Sequence, residues 1–136
     1  MNNEQAGEVR LHSESDIVMA RKTVRTVAGQ IGFGLTDVTR IVTAASELAR
    51  NAFLYAGSGV MRWQVLTTRS GRGIELTFVD NGPGIADIEQ ALQEGYTTSG
   101  GLGLGLPGSK RLMDETDIYS EVGKGTTVVV RKWLRR

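Results

Sequence analysis

The sequence predicts a two-layer α/β (α+β) sandwich, in which an antiparallel-rich mixed sheet carries helices on one face. Apolar residues recur at helical spacing in two long segments of the first half of the chain. The second half alternates short strand-like runs with glycine-rich turns. The length of 136 residues fits a single domain, 1–136, with its own core, and leaves no room for a separate substrate domain.

The chain is expected to begin with a short strand and a long helix. Residues 1–7 are polar and expected to be frayed, and a strand follows over 8–12. Ser13 or Ser15 caps a helix that runs to Gln30, because a serine side chain there accepts a hydrogen bond from the first turn. The buried face of this helix is expected to hold Ile17, Val18, Ala20, Val24 and Val27.

A second helix is expected over 37–55, after a glycine turn at 32–34 and with Thr36 as its cap. The glycine-rich stretch 56–59 ends it. The apolar positions of this helix recur every three or four residues, which predicts one broad buried face. They are Val38, Ile41, Val42, Ala45, Leu48, Ala49 and Ala52.

The rest of the chain is expected to form two hairpins, separated by a short helix. Glycines at 69–72 and 123–125 mark the turns. The expected strands are 60–68, 73–79, 116–121 and 126–134, and the expected helix is 105–114. The basic tail 131–136 is interpreted as a solvated strand end.

A polar pair interrupts the apolar second helix. Glu47 and Asn51 are four residues apart and therefore share a face. Burying both groups is costly unless something pairs with them, and Mg²⁺ with a phosphate would do so. Taken alone, such a pair is more often a solvated helix edge.

Three glycine-rich segments that could cradle phosphates follow later in the chain, and a compact domain has no folding reason to hold all three. They are 80–84, 99–105 and 123–127.

Four segments resemble, in chain order, the N, G1, G2 and G3 boxes of the gyrase, Hsp90, histidine kinase and MutL (GHKL) superfamily of ATP-binding domains. They are 47–51, 80–84, 100–105 and 123–127. Further strings resemble the RsbT-like switch-protein serine/threonine kinases of the bacterial stressosome. They are SELARN at 46–51, LYAG at 54–57, TSGGLG at 98–103, GLPG at 105–108 and KRLMDE at 110–115. The resemblance implies a Bergerat-type ATP-binding fold, with an ATP lid over 85–105.

The resemblance also implies the roles of individual residues. Asn51 holds Mg²⁺ through its side-chain oxygen, which is the ligand type this ion prefers. Asp80 accepts the exocyclic amine of adenine, and Thr126 touches the base directly or through water. Gly82 and Gly84 let the backbone approach the base. The phosphates are wrapped by the loop of Gly100, Gly101, Leu102, Gly103, Leu104 and Gly105, in which the leucines pack within the lid.

Glu47 is the candidate general base, which orients or deprotonates the hydroxyl that attacks the γ-phosphate of ATP. That hydroxyl could belong to water or to a protein serine. The resemblance implies a Ser/Thr hydroxyl on a STAS-domain switch or scaffold protein, and a PP2C-type phosphatase as a second partner. Leu54 stands where histidine kinases carry a lysine, which argues against that group, and Lys110 or Arg111 could supply a cation to phosphate instead.

Composition excludes several function classes. A net charge of +1 gives no support to nucleic-acid binding or to an anionic membrane surface. The chain has no cysteine, no long apolar run and no secretory leader, so a cytoplasmic protein is expected. Its single histidine, His12, lies outside the polar pair's helix and does not predict a zinc site.

Three functions remain open from the residues alone. The first is a protein kinase acting in partner switching. The second is a nucleotide-gated regulatory binding module, such as an anti-sigma factor or a phosphatase activator, with little kinase activity. The third is a stand-alone ATPase. A carboxylate at Glu47 favours chemistry, because a nucleotide sensor has no need of a base. The partner surface is expected on the lid and on the first helix near Arg21, Lys22 and Arg25.

Overall fold

The computed structural model describes residues 5–82 and 106–134, and within these ranges five strands and three helices follow one another. Their bounds lie close to those expected from the sequence. The strands are β1 (Ala6–Leu11), β2 (Gly59–Thr68), β3 (Gly71–Asp80), β4 (Glu115–Glu121) and β5 (Gly125–Trp133). The helices are α1 (Glu14–Ile31), α2 (Leu35–Ala56) and α3 (Leu106–Leu112).

The strands form one sheet in the order β1-β2-β3-β5-β4, and each neighbouring pair is antiparallel. Burial alternates along β3, where Ile74, Leu76 and Phe78 are buried and the residues between them are half-buried. This period of two places one face of the sheet against the helices and leaves the other face more open. The predicted two-layer α/β sandwich is confirmed.

Helix α1 is fixed at both ends by the expected types of residue. Ser13 is its N-cap, and the Ser13 side chain accepts a hydrogen bond from the Asp16 backbone N–H at 3.3 Å. Gly32 closes the helix in the left-handed conformation, with φ 116°. Val18, expected in the buried face, is instead 46% exposed, because it lies about 100° around the helix from the buried Ile17.

Helix α2 begins earlier than predicted. Its N-cap is Gly34 rather than Thr36, and no side chain makes a capping hydrogen bond there. The end of α1 explains this, because the N–H groups of Gly32 and Phe33 both bond back to the Ala28 carbonyl. That closure buries Phe33 and leaves only Phe33 and Gly34 between the Gly32 cap of α1 and the first turn of α2. The expected helix stop is confirmed at Gly57, with φ 79°.

The core lies between the helix layer and the sheet. Its fully buried apolar side chains come from α1, α2 and four of the strands. The largest of them are Leu11, Ile17, Val24, Ile41, Met61, Ile74, Leu76 and Val130. In the described part of the chain, no helix has the length and apolar character needed to cross a membrane.

The described part of the basic tail, 131–134, is not a solvated strand end, and 135–136 lie outside the described residues. Lys132 belongs to β5 and points to the helix layer, so its side chain is 7% exposed. Its Nζ donates to the Leu112 carbonyl at the end of α3, at 2.8 Å. The same amine lies 3.7 Å from the Asp114 carboxylate and 3.9 Å from that of Asp37 at the start of α2. The sequence interpretation was wrong here because the alternation of β5 buries residues 128, 130 and 132.

Arg131, the neighbour of Lys132, lies on the open face of the sheet. It makes ion pairs with Glu75 at 2.7 Å, Asp117 at 3.2 Å and Glu115 at 3.3 Å. Burial lowers the pKa of the Arg131 guanidinium, but hydrogen bonds to Glu75 and Asp117 and the charges of Glu75 and Glu115 outweigh this and raise its pKa above the ordinary value. The guanidinium therefore stays charged and joins β3, β4 and β5 on this face.

Candidate functional site

The sheet register brings the predicted base-binding residues together. Asp80 is the last residue of β3, and its cross-strand partner on β5 is Thr126. Thr126 is paired in turn with Ser120 on β4. Residues that are directly opposite share a face of the sheet, and the next pair along it, Phe78 and Val128, is buried. The three side chains therefore lie in a row on the helix-facing side, at one end of the sheet.

Hydrogen bonds hold this row in place. The Asp80 side chain accepts the backbone N–H of Gly82 at 2.9 Å, which turns the chain after β3. The Ser120 hydroxyl donates to the Gly125 carbonyl at 3.1 Å and lies 2.9 Å from the Thr126 hydroxyl. Gly82 and Thr126, which were both predicted to contribute to the base-binding site, therefore lie beside Asp80 in the fold.

Gly125 packs against the backbone at the end of β3. Its φ is 98°, in the left-handed region that favours glycine. A Cβ atom at this position would overlap the Asp80 carbonyl oxygen and lie 2.8 Å from the Asn81 Cα. Only a residue without a side chain permits this approach, so Gly125 sets the distance between the β4–β5 turn and Asp80.

A second glycine, Gly59, brings α2 over the same end of the sheet. It is the cross-strand partner of Asp80 on the other side of β3. A Cβ atom on Gly59 would lie 2.7 Å from the Val79 carbonyl oxygen, 3.0 Å from the Ala52 Cβ and 3.5 Å from the Asp80 Cβ. Helix α2 therefore crosses directly above Asp80 at Ala52, the residue that follows Asn51.

Glu47 and Asn51 both lie on α2, as predicted. Asn51 is half-buried, whereas Glu47 is exposed. Glu47 therefore needs no ligand on account of burial, because water can solvate its carboxylate. The exposure of Glu47 leaves it accessible to a group that approaches from outside.

The oxygen donors of α2 fit a magnesium ion that is shared with phosphates. Within residues 5–82 and 106–134, no group of three or more His, Cys, Asp or Glu side chains could hold a metal ion by itself. Mg²⁺ bound to a nucleotide usually takes only one or two protein oxygens and completes its shell with phosphate and water. The amide oxygen of Asn51 is a suitable donor of this kind.

The phosphate-binding part of the prediction, and Gly84 from its base-binding part, lie outside the described residues. This applies to Gly84, to the lid 85–105, and to Gly100, Gly101, Leu102, Gly103, Leu104 and Gly105. Helix α3 begins at Leu106, directly after this glycine segment in the sequence, one residue later than predicted. It ends two residues before the predicted Asp114.

A cavity of about 520 Å³ opens at the end of β3, and its lining includes Asp80, Asn81 and Thr126.

Three contributions to the site and its frame were not predicted from the sequence, although Gly125 lies in the segment 123–127 that was singled out there. Ser120 contacts Thr126, Gly125 contacts the backbone of Asp80, and Lys132 binds the end of α3. A signal for Ser120 was present, because a three-residue turn at 122–124 fixes the β4–β5 register and so the pairing of Ser120 with Thr126. Lys132 could have been found from the alternation of β5.

Comparison with known proteins agrees with this geometry. Residues 36–136 match the family described as histidine kinase-, DNA gyrase B- and HSP90-like ATPase. The chain is 50% identical over 127 residues to the serine/threonine-protein kinase RsbT of Bacillus subtilis, which covers 93% of this chain and 96% of that protein. It is 36% identical over 124 residues to an anti-sigma F factor of Anoxybacillus flavithermus, which covers 86% of this chain and 84% of that protein.

A solved structure shares the fold. It is the crystal structure of the RsbU and RsbW domains of Rv1364c from Mycobacterium tuberculosis, with a TM-score of 0.65 and 20% sequence identity. The match covers 96% of this chain and 33% of the solved chain, so this chain spans a third of that one. At this identity the likeness supports the architecture alone.

The close approach of Gly125 gives a testable prediction. Gly125→Ala should lower the free energy of unfolding by more than Gly123→Ala, the matched control in the same turn. Both glycines have positive φ, but a Cβ on Gly123 meets nothing within 4 Å. Gly123→Ala should therefore cost only the conformational term, about 1–2 kcal/mol, whereas Gly125→Ala must also displace the end of β3. Chemical denaturation of both variants measures the difference, and equal losses would contradict the close contact.

Proposed function

This chain belongs to the histidine kinase-, DNA gyrase B- and HSP90-like ATPase family and, within it, to the group that contains RsbT, and we propose that it is an ATP-dependent protein serine/threonine kinase acting in partner switching. One observation carries the proposal. Asp80 and Thr126 are paired at the end of the sheet, directly beneath the helix that bears Glu47 and Asn51. A base-binding edge and a candidate catalytic carboxylate are thereby held on one rigid frame.

Asp80 binds the adenine ring in this proposal. A carboxylate accepts hydrogen bonds, and adenine presents an amino group where guanine presents a carbonyl oxygen. Guanine would therefore set two acceptors against each other, and neither would be satisfied. The hydrogen bond from Gly82 orients the Asp80 carboxylate before the nucleotide arrives. Gly84 follows in the same loop and would let the backbone lie close to the base.

The chemistry is phosphoryl transfer from ATP to a protein hydroxyl. The hydroxyl oxygen forms a bond to the γ-phosphorus, the bond between that phosphorus and the β–γ bridging oxygen breaks, and ADP leaves with the electron pair. Glu47 orients the hydroxyl and takes its proton. Asn51 would hold Mg²⁺, which when bound neutralises charge on the phosphates. The loop 100–105 would wrap the phosphates with backbone N–H groups.

The acceptor hydroxyl would come from a partner protein that docks beside Glu47. A groove of about 420 Å³ runs between α1 and α2, with Phe33 and Leu35 in its lining. Thr39 and Thr43 also line it, and Glu47 lies one helical turn beyond Thr43. The groove therefore leads along α2 toward the candidate base.

Charge and apolar surface give the groove the character of a protein-binding site. Arg21 and Arg25 lie on its α1 side, and Leu35 is 84% exposed at its end. We propose that the partners are a STAS-domain switch or scaffold protein, which would be the substrate, and a PP2C-type phosphatase. The similarity to RsbT supports this proposal, and with it a place in the cytoplasm, where ATP is available.

A second candidate function is a regulatory binding module with little kinase activity. The observation that favours it is the 36% identity to an anti-sigma F factor, a protein named for binding rather than for transfer. Both functions need Asn51 and Asp80, but only the kinase needs a carboxylate at Glu47. Phosphotransfer by the Glu47 variant therefore discriminates between them.

Nucleotide selectivity should depend on Asp80. With Mg²⁺ present, ATP should raise the melting temperature of the wild-type protein and GTP should not, because a ligand stabilises only the state that binds it. Asp80→Asn introduces an N–H donor that can meet the guanine carbonyl, so the preference for ATP should fall by roughly tenfold or more. Melting curves over a range of nucleotide concentrations measure this. Equal shifts with both nucleotides in the wild type would remove Asp80 from the adenine role.

Binding and chemistry should separate on α2. Asn51→Ala should lose Mg²⁺-dependent ATP binding and phosphotransfer together. Glu47→Ala should keep ATP affinity, while phosphotransfer to a STAS-domain protein falls by about two orders of magnitude, the usual scale for removing a general base. Transfer of labelled phosphate with phosphosite mapping measures the rate. Glu14→Ala, which removes an exposed carboxylate from α1, is the control, and normal transfer by Glu47→Ala would refute the proposed mechanism.

Partner docking should depend on the basic side of the groove. Arg21→Glu with Arg25→Glu should weaken binding of the STAS-domain or phosphatase partner, mainly by slowing association, and leave ATP affinity unchanged. Surface plasmon resonance at two salt concentrations measures both rates. The matched control reverses Arg10 and Arg69, which are equally exposed but lie on β1 and in the β2–β3 turn. Unchanged affinity for both partners would place the interface elsewhere.

A further inference from the structure

We infer that Ser120 is a positioning residue that helps this site to reject guanine, because it sets the direction of the Thr126 hydroxyl. The inference rests on the proposed function, in which Asp80 and Thr126 meet the base. Ser120 itself lies on the edge strand β4, one strand further from Asp80, and acts through Thr126.

The hydroxyl groups of Ser120 and Thr126 have one proton each, and each proton can serve one hydrogen bond. The Gly125 carbonyl oxygen can only accept, so the Ser120 hydroxyl donates to it, at 3.1 Å. A serine hydroxyl has one proton, and that proton is used in this bond. In the arrangement that we infer, the Thr126 proton makes the contact of 2.9 Å between Ser120 and Thr126. Thr126 therefore donates to Ser120, and its oxygen offers only lone pairs in other directions.

The Gly125 carbonyl, which accepts the Ser120 proton, cannot easily move. Gly125 is buried, and its backbone is packed against Asp80 and Asn81. Its carbonyl direction is therefore fixed by the same close approach that shapes the site. The Ser120 proton, and through it the Thr126 proton, is directed by the backbone of the β4–β5 turn.

The nucleotide base meets a pair of hydrogen-bond acceptors in this site. Asp80 and Thr126 are cross-strand partners, and both present acceptors to a ligand. The adenine amino group supplies donors, whereas the guanine carbonyl at the same place is a third acceptor. Without the Ser120 oxygen, the Thr126 hydroxyl could rotate and donate to guanine. Ser120 therefore removes a donor, beside Asp80, that would make the site more tolerant of guanine.

The experiment compares the dissociation constants of ATP and GTP, each with Mg²⁺, by calorimetry on the purified protein. Ser120→Ala should lower the preference for ATP over GTP by about five- to tenfold, the scale of one net hydrogen bond, mostly through tighter GTP binding. Ser120→Thr keeps the hydroxyl and should keep the preference. Ser120→Cys keeps the volume but bonds weakly, so it should lower the preference in the same direction.

Two further variants separate positioning from a loss of fold. Thr116→Val removes another hydroxyl from β4, one that has no hydrogen-bond partner and does not touch Thr126, and should keep the wild-type preference. In a Thr126→Val background, Ser120→Ala should change the ratio no further, because the residue through which it acts is gone. A purely structural role would give the same change in both backgrounds.

The outcomes distinguish this inference from the proposed function. Wild-type protein that prefers ATP, with the same preference in Ser120→Ala and Ser120→Cys, would overturn the role of Ser120 alone. Equal effects of Ser120→Ala with and without Thr126 would also overturn it. Wild-type protein that binds ATP and GTP equally would overturn the adenine role of Asp80 and the inference together.

Discussion

The site depends on the absence of side chains on both sides of Asp80. Gly59 on β2 and Gly125 on β5 flank the end of β3, and a Cβ on either would collide with the backbone of β3. Gly59 lets α2 descend until Ala52 is above this end, and Gly125 lets the β4–β5 turn close against it. Each glycine sacrifices chain entropy, and together they bring helix, strand end and turn around one carboxylate.

Short connections and one buried amine arrange the helix layer. The cap of α1 uses Gly32 and Phe33, so α2 must start at once from Gly34. Lys132 then joins the start of α2, near Asp37, to the end of α3 through the Leu112 carbonyl. This buried amine therefore fixes α3 relative to the start of α2. The nucleotide-binding elements thus share a frame although they are distant in the chain.

The sequence predicted what local patterns determine. Helical spacing, the serine cap of α1 and the alternation of β3 each depend on near neighbours, and the structure confirms them. The errors arose where distant contacts decide. Thr36 is not the cap because α1 closes at Gly32 and Phe33 and α2 then begins from Gly34. The basic tail was misjudged because the hydrogen-bond partner of Lys132 is on α3. The pairing of Asp80 with Thr126 needs the β3–β5 register, which joins residues far apart in sequence. The roles of the lid and its glycines remain predictions.

In the proposed function, specificity and chemistry would occupy different surfaces of one helix and sheet. Asp80, Thr126 and Ser120 lie in a row on neighbouring strands, where small errors in position are resisted by the ladders between the strands. Glu47 is on the exposed part of α2, in line with the groove that Thr39 and Thr43 help to form. In this proposal a rigid base site would select the nucleotide without the partner, whereas the exposed carboxylate of Glu47 would act only when a docked protein brings a hydroxyl to it. The proposed kinase would therefore hold ATP with little turnover until its partner fills the groove, and it would transfer phosphate only in that complex.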